Sequence, residues 1–179
     1  MRIDWDEYFI CVAKLTALRS TCNSRPTGAV IVKNKRIIST GYNGSLPGKE
    51  QCIDKGEKYC KRRNTGKDDS GENKYQECPS IHAEQNAINQ IAFLGGISLE
   101  GAIIYCTLFP CIHCLKNIAS VGIKEIVYEM DYKSDHIERD SFWLEEARQN
   151  FKIKQVTLSA INEAKVMFNF NTMTSFRRL

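Results

Sequence analysis

A histidine and a glutamate separated by one residue, followed downstream by two cysteines at C-x-x-C spacing, place the strongest demand on the fold of this chain. They are His82 and Glu84, and then Cys111 and Cys114, which follow Pro110. One histidine and two cysteines leave the fourth position of a tetrahedral zinc ion open, and a catalytic zinc needs that position for its water. Glu84 lies close to the histidine without being needed as a ligand. The fold must therefore bring these two segments together around one metal ion.

The cysteine pair falls at the start of a predicted helix. Cys111 and Cys114 occupy positions i and i+3 of its first turn, so both thiols can bind one ion. A helix N-terminus also lowers the pKa of a thiol and favours the thiolate that a metal requires. His113, between the cysteines, is predicted to point away from the ligands and to lie at the surface. The alternative is a closed structural zinc site with His82 as a core histidine, and the His-x-Glu pattern disfavours it.

This ligand set predicts hydrolysis at a nucleobase. The pattern His-x-Glu followed by Pro-Cys-x-x-Cys is typical of zinc-dependent nucleobase deaminases. Zinc lowers the pKa of bound water and supplies hydroxide near neutral pH. That hydroxide would attack C4 of a cytosine ring, or C6 if the base were adenine. Glu84 would take the proton of the water, pass it to the ring nitrogen and then protonate the leaving amine.

The composition restricts the class of protein. The chain has 179 residues, 42% of them apolar, which suffices for one domain with one packed core. No apolar run is long enough for a membrane-spanning helix. Acidic residues close to the N-terminus argue against a signal peptide, so a cytoplasmic location is expected. The net charge of +4 permits an anionic substrate but does not favour a nucleic-acid partner.

Eight cysteines are many for a chain expected in the cytoplasm, where disulfides rarely persist. Metal binding therefore explains them better than a disulfide framework does. Cys11 and Cys106 lie in apolar periodic segments and are predicted to be buried thiols. Besides the C-x-x-C pair, four cysteines need an explanation: Cys22, Cys52, Cys60 and Cys78. Residues 46–79 are polar and long for an unsupported loop, so either part of the segment is disordered or something within it acts as a staple.

The hydrophobic periodicity predicts alternating helices and strands. The predicted helices cover residues 4–20, 82–94 and 111–120 and include 145–148, and the predicted strands cover 29–32, 36–40, 102–106, 125–128 and 153–158. Asp4 and Glu7 form a capping pattern at the start of the first helix. Gly41–Ser45 is predicted to be a loop of residues that tolerate positive φ. This order indicates a layered α/β domain with helices packed on one mixed sheet, whereas residues 159–179 form a tail without assigned structure.

Several segments of the chain match one known family. They are Leu18–Cys22, Gly28–Val30, Gly41–Ser45, Ile81–Glu84 and Pro110–Cys114. Together they resemble the deoxycytidylate (dCMP) deaminases of the cytidine deaminase superfamily, including the bacterial competence-operon and phage members. The resemblance implies a single deaminase domain over residues 1–179, with a three-layer α/β fold in which helices flank a five-stranded mixed sheet. It also implies that residues 46–79 are a cysteine-bearing insertion.

The resemblance implies an activity and a regulation. The family converts dCMP to dUMP and ammonia, and its members are commonly hexamers that dCTP with Mg²⁺ activates and dTTP inhibits. We therefore expect a homo-oligomer, and in particular a hexamer, with dCTP and dTTP as effectors and with neither a membrane nor a nucleic acid as partner.

The resemblance also assigns roles to individual residues. The residues implied in substrate binding are Asn43 for the sugar, Ser24 and Arg25 for the phosphate, Tyr132 for the base or phosphate, and Ala83. Gly44 is implied in effector binding. Family members often carry a second, non-catalytic zinc that pins the long insertion, and here its ligands would be Cys22, Cys52, Cys60 and Cys78. Such a structural Zn²⁺ would explain how this polar stretch stays ordered.

Three alternatives remain open at this point. The same pocket could admit further phosphates, which would make the protein a dCTP deaminase or one that accepts both nucleotides. A tRNA adenosine deaminase uses the same zinc motif, although it usually lacks the cysteine-bearing insertion and needs a broad basic surface. A catalytically silent zinc-binding protein would have no chemical need for Glu84.

Overall fold

The computed structural model describes residues 3–56, 60, 78–132 and 137–158. Within them the helices are α1 (Trp5–Ala17), α2 (Ala83–Leu94), α3 (Ile112–Ser120) and α4 (Ile137–Asn150), with a short 3₁₀ turn at Ile53–Lys55. The strands are β1 (Gly28–Lys33), β2 (Arg36–Tyr42), β3 (Gly44–Ser45), β4 (Ser80–Ile81), β5 (Ile103–Leu108), β6 (Glu125–Met130) and β7 (Lys152–Gln155). The predicted tail, 159–179, and most of the predicted insertion lie outside the described residues.

Five strands form one mixed sheet in the order β2-β1-β5-β6-β7. The neighbours β2, β1 and β5 pair antiparallel, with Val30 opposite Thr40 on one side and opposite Tyr105 on the other. The neighbours β5, β6 and β7 pair parallel, with Tyr105 opposite Val127 and Val127 opposite Lys154. The prediction of a five-stranded mixed sheet is confirmed. Strands β3 and β4 form a separate two-stranded ribbon.

Helices cover both faces of the sheet because its central strands are apolar on both sides. Alternate residues of a strand point to opposite faces, and two core clusters follow from this. The first joins Ala29, Ile31, Ile104, Cys106 and Ile126 of the sheet to α2, α3 and α4. The second joins Val30, Val32, Tyr105 and Val127 to α1. The fold therefore has three layers, as expected, and α1 is the helix of the described residues that packs on the second face.

Helix α1 begins where the sequence predicts and ends earlier. Asp4 and Glu7 form the capping box, and the Glu7 backbone N–H donates to Asp4 Oδ1 at 2.8 Å. The predicted end at residue 20 is wrong, because the helix stops at Ala17 and Ser20 N donates to the Ala17 carbonyl in a tight turn. A Cβ on Gly28 would lie 2.0 Å from the Ala13 carbonyl oxygen, so glycine allows α1 to pack directly on β1.

Strands β1 and β2 form a hairpin, and its turn residues Asn34 and Lys35 both have positive φ (51° and 60°). Positive φ at both central positions is the backbone of the hairpin turn that matches strand twist. The prediction for Gly41–Ser45 is wrong. Strand β2 continues to Tyr42, Gly44–Ser45 forms β3, and neither glycine has positive φ. Their lack of a side chain serves close packing, which a local pattern does not reveal.

The last predicted strand, 153–158, also differs from the structure. Strand β7 ends at Gln155. Val156 and Leu158 are nevertheless buried in the core beneath α1, which explains why the apolar pattern runs beyond the strand. Among the residues that the structure describes, no helix is long and apolar enough to cross a membrane.

Candidate active site

The three predicted metal ligands meet where two helices begin. His82 is the N-cap of α2, and Cys111 is the N-cap of α3, so both precede their helices instead of opening them as predicted. Cys114 lies in the first turn of α3. The Nδ1 atom of His82 is 3.4 Å from the sulfur of Cys111 and 3.4 Å from the sulfur of Cys114. Strand β5 and the ribbon strand β4 deliver the two segments to this end of the sheet.

The spacing of these atoms fits zinc. A tetrahedral ion about 2.0 Å from nitrogen and about 2.3 Å from sulfur places the two donor atoms about 3.5 Å apart. In the part of the chain that the structure describes, His82, Cys111 and Cys114 are the only metal-ligating group with all donor atoms within 4.8 Å of one another. Two helix N-termini point their positive ends at this cluster, which stabilises thiolates. The residues present therefore suit a zinc ion with one open position.

A hydrogen bond couples the two thiols of the cluster. A hydrogen bond from Cys114 and the nearby His82 ring lower the pKa of Cys111 to about 4, against the opposing effect of burial. The pKa of Cys114 is raised, mainly by its hydrogen bond to Cys111 and to a lesser extent by burial. The hydrogen-bonded pair therefore favours one thiolate beside one thiol. A divalent cation would favour the ionised form of both.

Glu84 lies in the first turn of α2 and is only 4% exposed. Burial raises the pKa of its carboxyl, while the neighbouring His82 opposes that shift and Cys111 adds to it. A carboxyl with a raised pKa can both take and return a proton near neutral pH, as a general acid and base must. His113, by contrast, is exposed, as predicted.

A pocket of about 110 Å³ opens beside the metal ligands and is lined by His82, Glu84 and Cys111. The residues implied in substrate binding that also line it are Arg25, Asn43, Ala83 and Tyr132. Ser24 does not line it, and its backbone N–H points to the sulfur of Cys22 at 3.4 Å. The structure therefore brings most of the implied substrate residues to one cavity.

Four further residues line the pocket and were missed as substrate residues: Cys22, Thr27, Leu108 and Phe109. Phe109 and Leu108 immediately precede the Pro110 of the metal motif, so the wall they form could have been inferred from their position. Thr27 immediately precedes β1. The sequence carries no comparable signal for Cys22, because its place depends on how the segment before β1 folds back.

Gly44 packs against Thr21, in the segment that precedes β1. A Cβ at this position would lie 2.4 Å from Thr21 Oγ1. Gly41 is similarly confined, because a Cβ there would lie 2.2 Å from the Ala83 carbonyl oxygen at the start of α2. The two glycines thus let β2 and β3 run close to the elements that form the pocket, and the effector role of Gly44 stays a prediction.

The remaining cysteines are neighbours but do not form a closed ligand set. Cys52 and Cys60 are buried, whereas Cys22 and Cys78 are half-buried. Burial raises the pKa of Cys78, and the neighbouring thiols of Cys22, Cys52 and Cys60 add to that rise. Main-chain contacts hold two of the segments together, since Ile53 N donates to the Thr21 carbonyl at 3.1 Å. Cys11 and Cys106 are buried, as predicted.

Comparison with known proteins identifies the family. The sequence model described as the cytidine and deoxycytidylate deaminase zinc-binding region matches residues 3–130, which include His82, Glu84, Cys111 and Cys114. The chain belongs to this deaminase family. The matched region is described as zinc-binding and contains the three residues whose spacing fits zinc, so the geometry and the family agree.

Individual proteins and a solved structure are also similar to this chain. ComE operon protein 2 of Bacillus subtilis strain 168 is 40% identical over 145 residues, which cover 79% of this chain and 67% of that protein. The deoxycytidylate deaminase of Schizosaccharomyces pombe is 39% identical over 136 residues, 75% of this chain and 39% of the yeast protein. The chain therefore spans well under half the length of the yeast relative. The crystal structure of the dCMP deaminase of cyanophage S-TIM5, in complex with dCMP and dUMP, matches with a TM-score of 0.66 and 26% identity, over 87% of this chain and 99% of the phage chain.

Proposed function

We propose that this protein is a zinc-dependent enzyme that hydrolyses dCMP to dUMP and ammonia. The observation that carries the proposal is the meeting of His82, Cys111 and Cys114 beside the buried carboxyl of Glu84, at one wall of a pocket. The proposal is further supported by the relatives, of which the S. pombe protein is a deoxycytidylate deaminase and the cyanophage structure contains dCMP and dUMP.

His82 Nδ1 and the sulfur atoms of Cys111 and Cys114 would hold the zinc. When bound, zinc lowers the pKa of a water molecule and so supplies hydroxide at neutral pH. Glu84 takes the proton that this water loses and transfers it to N3 of the cytosine ring. Once oxygen is bonded to C4, Glu84 moves the second proton of that oxygen to the amino group, which leaves as ammonia. One water is consumed for each dUMP formed.

The burial of Glu84 matters for both proton transfers. The carboxyl must be ionised to accept the first proton and must hold it long enough to deliver it. Burial raises its pKa, whereas the positive charge of a bound zinc would lower it.

The rest of the pocket offers groups for a nucleotide. Arg25 is exposed at the pocket and provides a planar cation that suits phosphate. Tyr132 and Asn43 line the same cavity as Ala83, at the start of α2. We assign Arg25 to the phosphate, Tyr132 to the base or phosphate, and Asn43 to the nucleoside. The role of Ser24 rests on the family resemblance alone, because that residue lies outside the cavity lining.

A second zinc ion, bound by Cys22, Cys52, Cys60 and Cys78, is part of the proposal. Support comes from the proximity of the four thiols, through which three of them raise the pKa of Cys78. A tetrahedral Cys₄ site would require these sulfur atoms to approach one another more closely than they do here. Such a site would tie the segment before β1 to the cysteine-bearing insertion.

The remaining features of the proposal rest on the family resemblance. They are activation by dCTP with Mg²⁺, inhibition by dTTP, an effector role for Gly44, assembly into a hexamer and a cytoplasmic location. A dCTP deaminase, or one that accepts both nucleotides, is the nearest alternative, because the pocket opens to solvent at Arg25.

Ammonia release from a panel of substrates tests the proposal. The panel contains dCMP, dCTP, deoxycytidine and a tRNA anticodon stem, each with and without dCTP–Mg²⁺. We expect the highest kcat/KM for dCMP. A higher value for dCTP would select the alternative nucleotide. Activity on the tRNA stem alone, or on none of the four, would refute a nucleotide deaminase, the latter in favour of a catalytically silent zinc-binding protein.

A further inference from the structure

Asn43 joins the catalytic pocket to the segment that precedes β1. Its side chain is almost fully buried and lines the pocket. Its Oδ1 atom accepts hydrogen bonds from Ser20 Oγ at 2.7 Å and from the Thr27 backbone N–H at 2.8 Å. Its Nδ2 atom donates to the Arg25 carbonyl at 2.8 Å. One carboxamide therefore holds residues 20–27 at both ends.

These partners fix the orientation of the Asn43 carboxamide. A backbone N–H can only donate and a backbone carbonyl can only accept, so Oδ1 must face Thr27 and Nδ2 must face Arg25. A carboxamide has two lone pairs on oxygen and two N–H groups. Both lone pairs and one N–H are used within the protein. Within the described ranges the second N–H has no partner, so it is a donor that Asn43 can offer to a ligand.

Ser20 lies outside the pocket lining but controls this arrangement. Its hydroxyl donates to Asn43 Oδ1 and also lies 3.0 Å from the Asn43 carbonyl oxygen. The same hydroxyl accepts a hydrogen bond from the Cys22 backbone N–H at 3.2 Å. Ser20 thus links the carboxamide of Asn43 to the main chain that carries the pocket residue Cys22.

The main chain of Asn43 strengthens the link. Asn43 N donates to the Thr27 carbonyl at 3.1 Å, and Thr21 N donates to the Asn43 carbonyl at 3.2 Å. Segment 20–27 is therefore bonded to Asn43 by main chain and side chain together. Since Arg25 projects from this segment into the pocket lining, the geometry of the pocket depends on these bonds.

We propose that Ser20 is a positioning residue for the nucleotide. It holds the Asn43 carboxamide so that the remaining Nδ2–H meets an acceptor oxygen of the substrate, and it holds segment 20–27 beside the pocket. This inference rests on the proposed function. It adds to that function that the pocket recognises a hydrogen-bond acceptor at Asn43, and that the recognition depends on a hydroxyl the substrate never touches.

The variant Ser20→Ala tests the inference. We expect KM for dCMP to rise about tenfold, the change expected when one neutral hydrogen bond to the substrate is weakened. The value of kcat should stay within about twofold, because an interaction that holds substrate and transition state equally acts on KM alone. The variant Ser20→Thr retains a hydroxyl and should have a KM close to that of the wild type. The control Ser120→Ala removes a hydroxyl that donates to the Asn117 carbonyl of its own helix, and should leave KM unchanged.

A second variant covers the case in which Ser20→Ala does not fold. Asn43→Asp keeps the shape of the side chain but places a carboxylate oxygen against the Arg25 carbonyl. Binding of dUMP, measured by calorimetry on variants with wild-type zinc content, should weaken at least tenfold. A KM for Ser20→Ala within twofold of wild type, a loss confined to kcat, or unchanged dUMP binding by Asn43→Asp overturns the inference. Wild-type protein that neither binds dUMP nor deaminates dCMP overturns the proposed function, and the inference falls with it.

Discussion

The Nδ1 atom of His82 lies 3.4 Å from the sulfur atom of Cys114, although the two residues are 32 positions apart in the chain. The contact exists because β4 and β5 end at the same side of the fold and each is followed by a helix start. The N-cap His82 of α2 then faces the N-cap Cys111 and the first-turn Cys114 of α3. Strand ends and helix N-termini thus position the candidate metal ligands, without a long loop.

Removal of one metal ligand should abolish both zinc binding at this site and turnover. Cys114→Ala leaves two donor atoms, too few for a tetrahedral site that keeps its metal. We expect the zinc content, measured by mass spectrometry of purified protein, to fall by one ion per chain. His113→Ala is the matched control, because this exposed residue lies between the two cysteines. Unchanged zinc content in Cys114→Ala would show that the ligands have been assigned wrongly.

Glu84→Gln should keep its zinc and lose its activity. Glutamine has nearly the same shape as glutamate but cannot accept and return the proton of the water. The loss of kcat should be about 10²–10⁴-fold, the range for a general acid–base group. Glu100→Gln, at an exposed position away from the pocket, serves as the control. If Glu84→Gln retained a rate close to that of the wild type, another group would have to carry the protons.

The second zinc predicts a metal content of two ions per chain. Cys78→Ser should reduce this content to one and should lower the thermal stability, because metal binding contributes to folding free energy. Cys11→Ala, at a buried thiol in the core, should retain both ions. A wild-type content of one zinc per chain would contradict the Cys₄ site while leaving the catalytic site intact.

Gly41→Ala should destabilise the protein without changing any catalytic group. The added Cβ would lie 2.2 Å from the Ala83 carbonyl oxygen, so β2 and α2 would have to move apart. Overpacking of this kind costs about 1–3 kcal/mol in free energy of unfolding, measurable by urea denaturation. Gly48→Asn is the control, because that glycine has open space around it and a φ of 73°, which asparagine tolerates. Equal stability of the two variants would refute the packing argument.

The candidate metal ligands and the alternation of helices and strands could be predicted from sequence because both depend on local patterns, whereas the five strands and the three layers were implied by the family resemblance. Residue type and spacing identify His82, Cys111 and Cys114 as candidate ligands, and the alternating apolar runs indicate the sheet. The prediction of a loop at Gly41 and Gly44 is wrong for a physical reason. Their neighbours Ala83 and Thr21 come from distant parts of the chain, and no local pattern encodes such a contact.

The hydrogen bonds around Asn43 could not be predicted from sequence for the same reason. Family resemblance pointed to this residue as a substrate contact, but Ser20 is 23 positions away and lies beyond the actual end of α1. The predicted helix would have included Ser20 and left its hydroxyl with a different partner. An error of three residues in the predicted end of α1 therefore concealed the hydrogen bond between Ser20 and Asn43.

The most direct test of the account is the rate at which zinc-loaded protein converts dCMP to dUMP, compared with the rate after a chelator has removed the metal. We expect turnover within the usual range for enzymes, about 1–10³ s⁻¹, its loss on chelation, and its return when zinc is added. A zinc-loaded protein that forms no dUMP from dCMP, or an unchanged rate once metal analysis shows the zinc to be gone, would contradict the account.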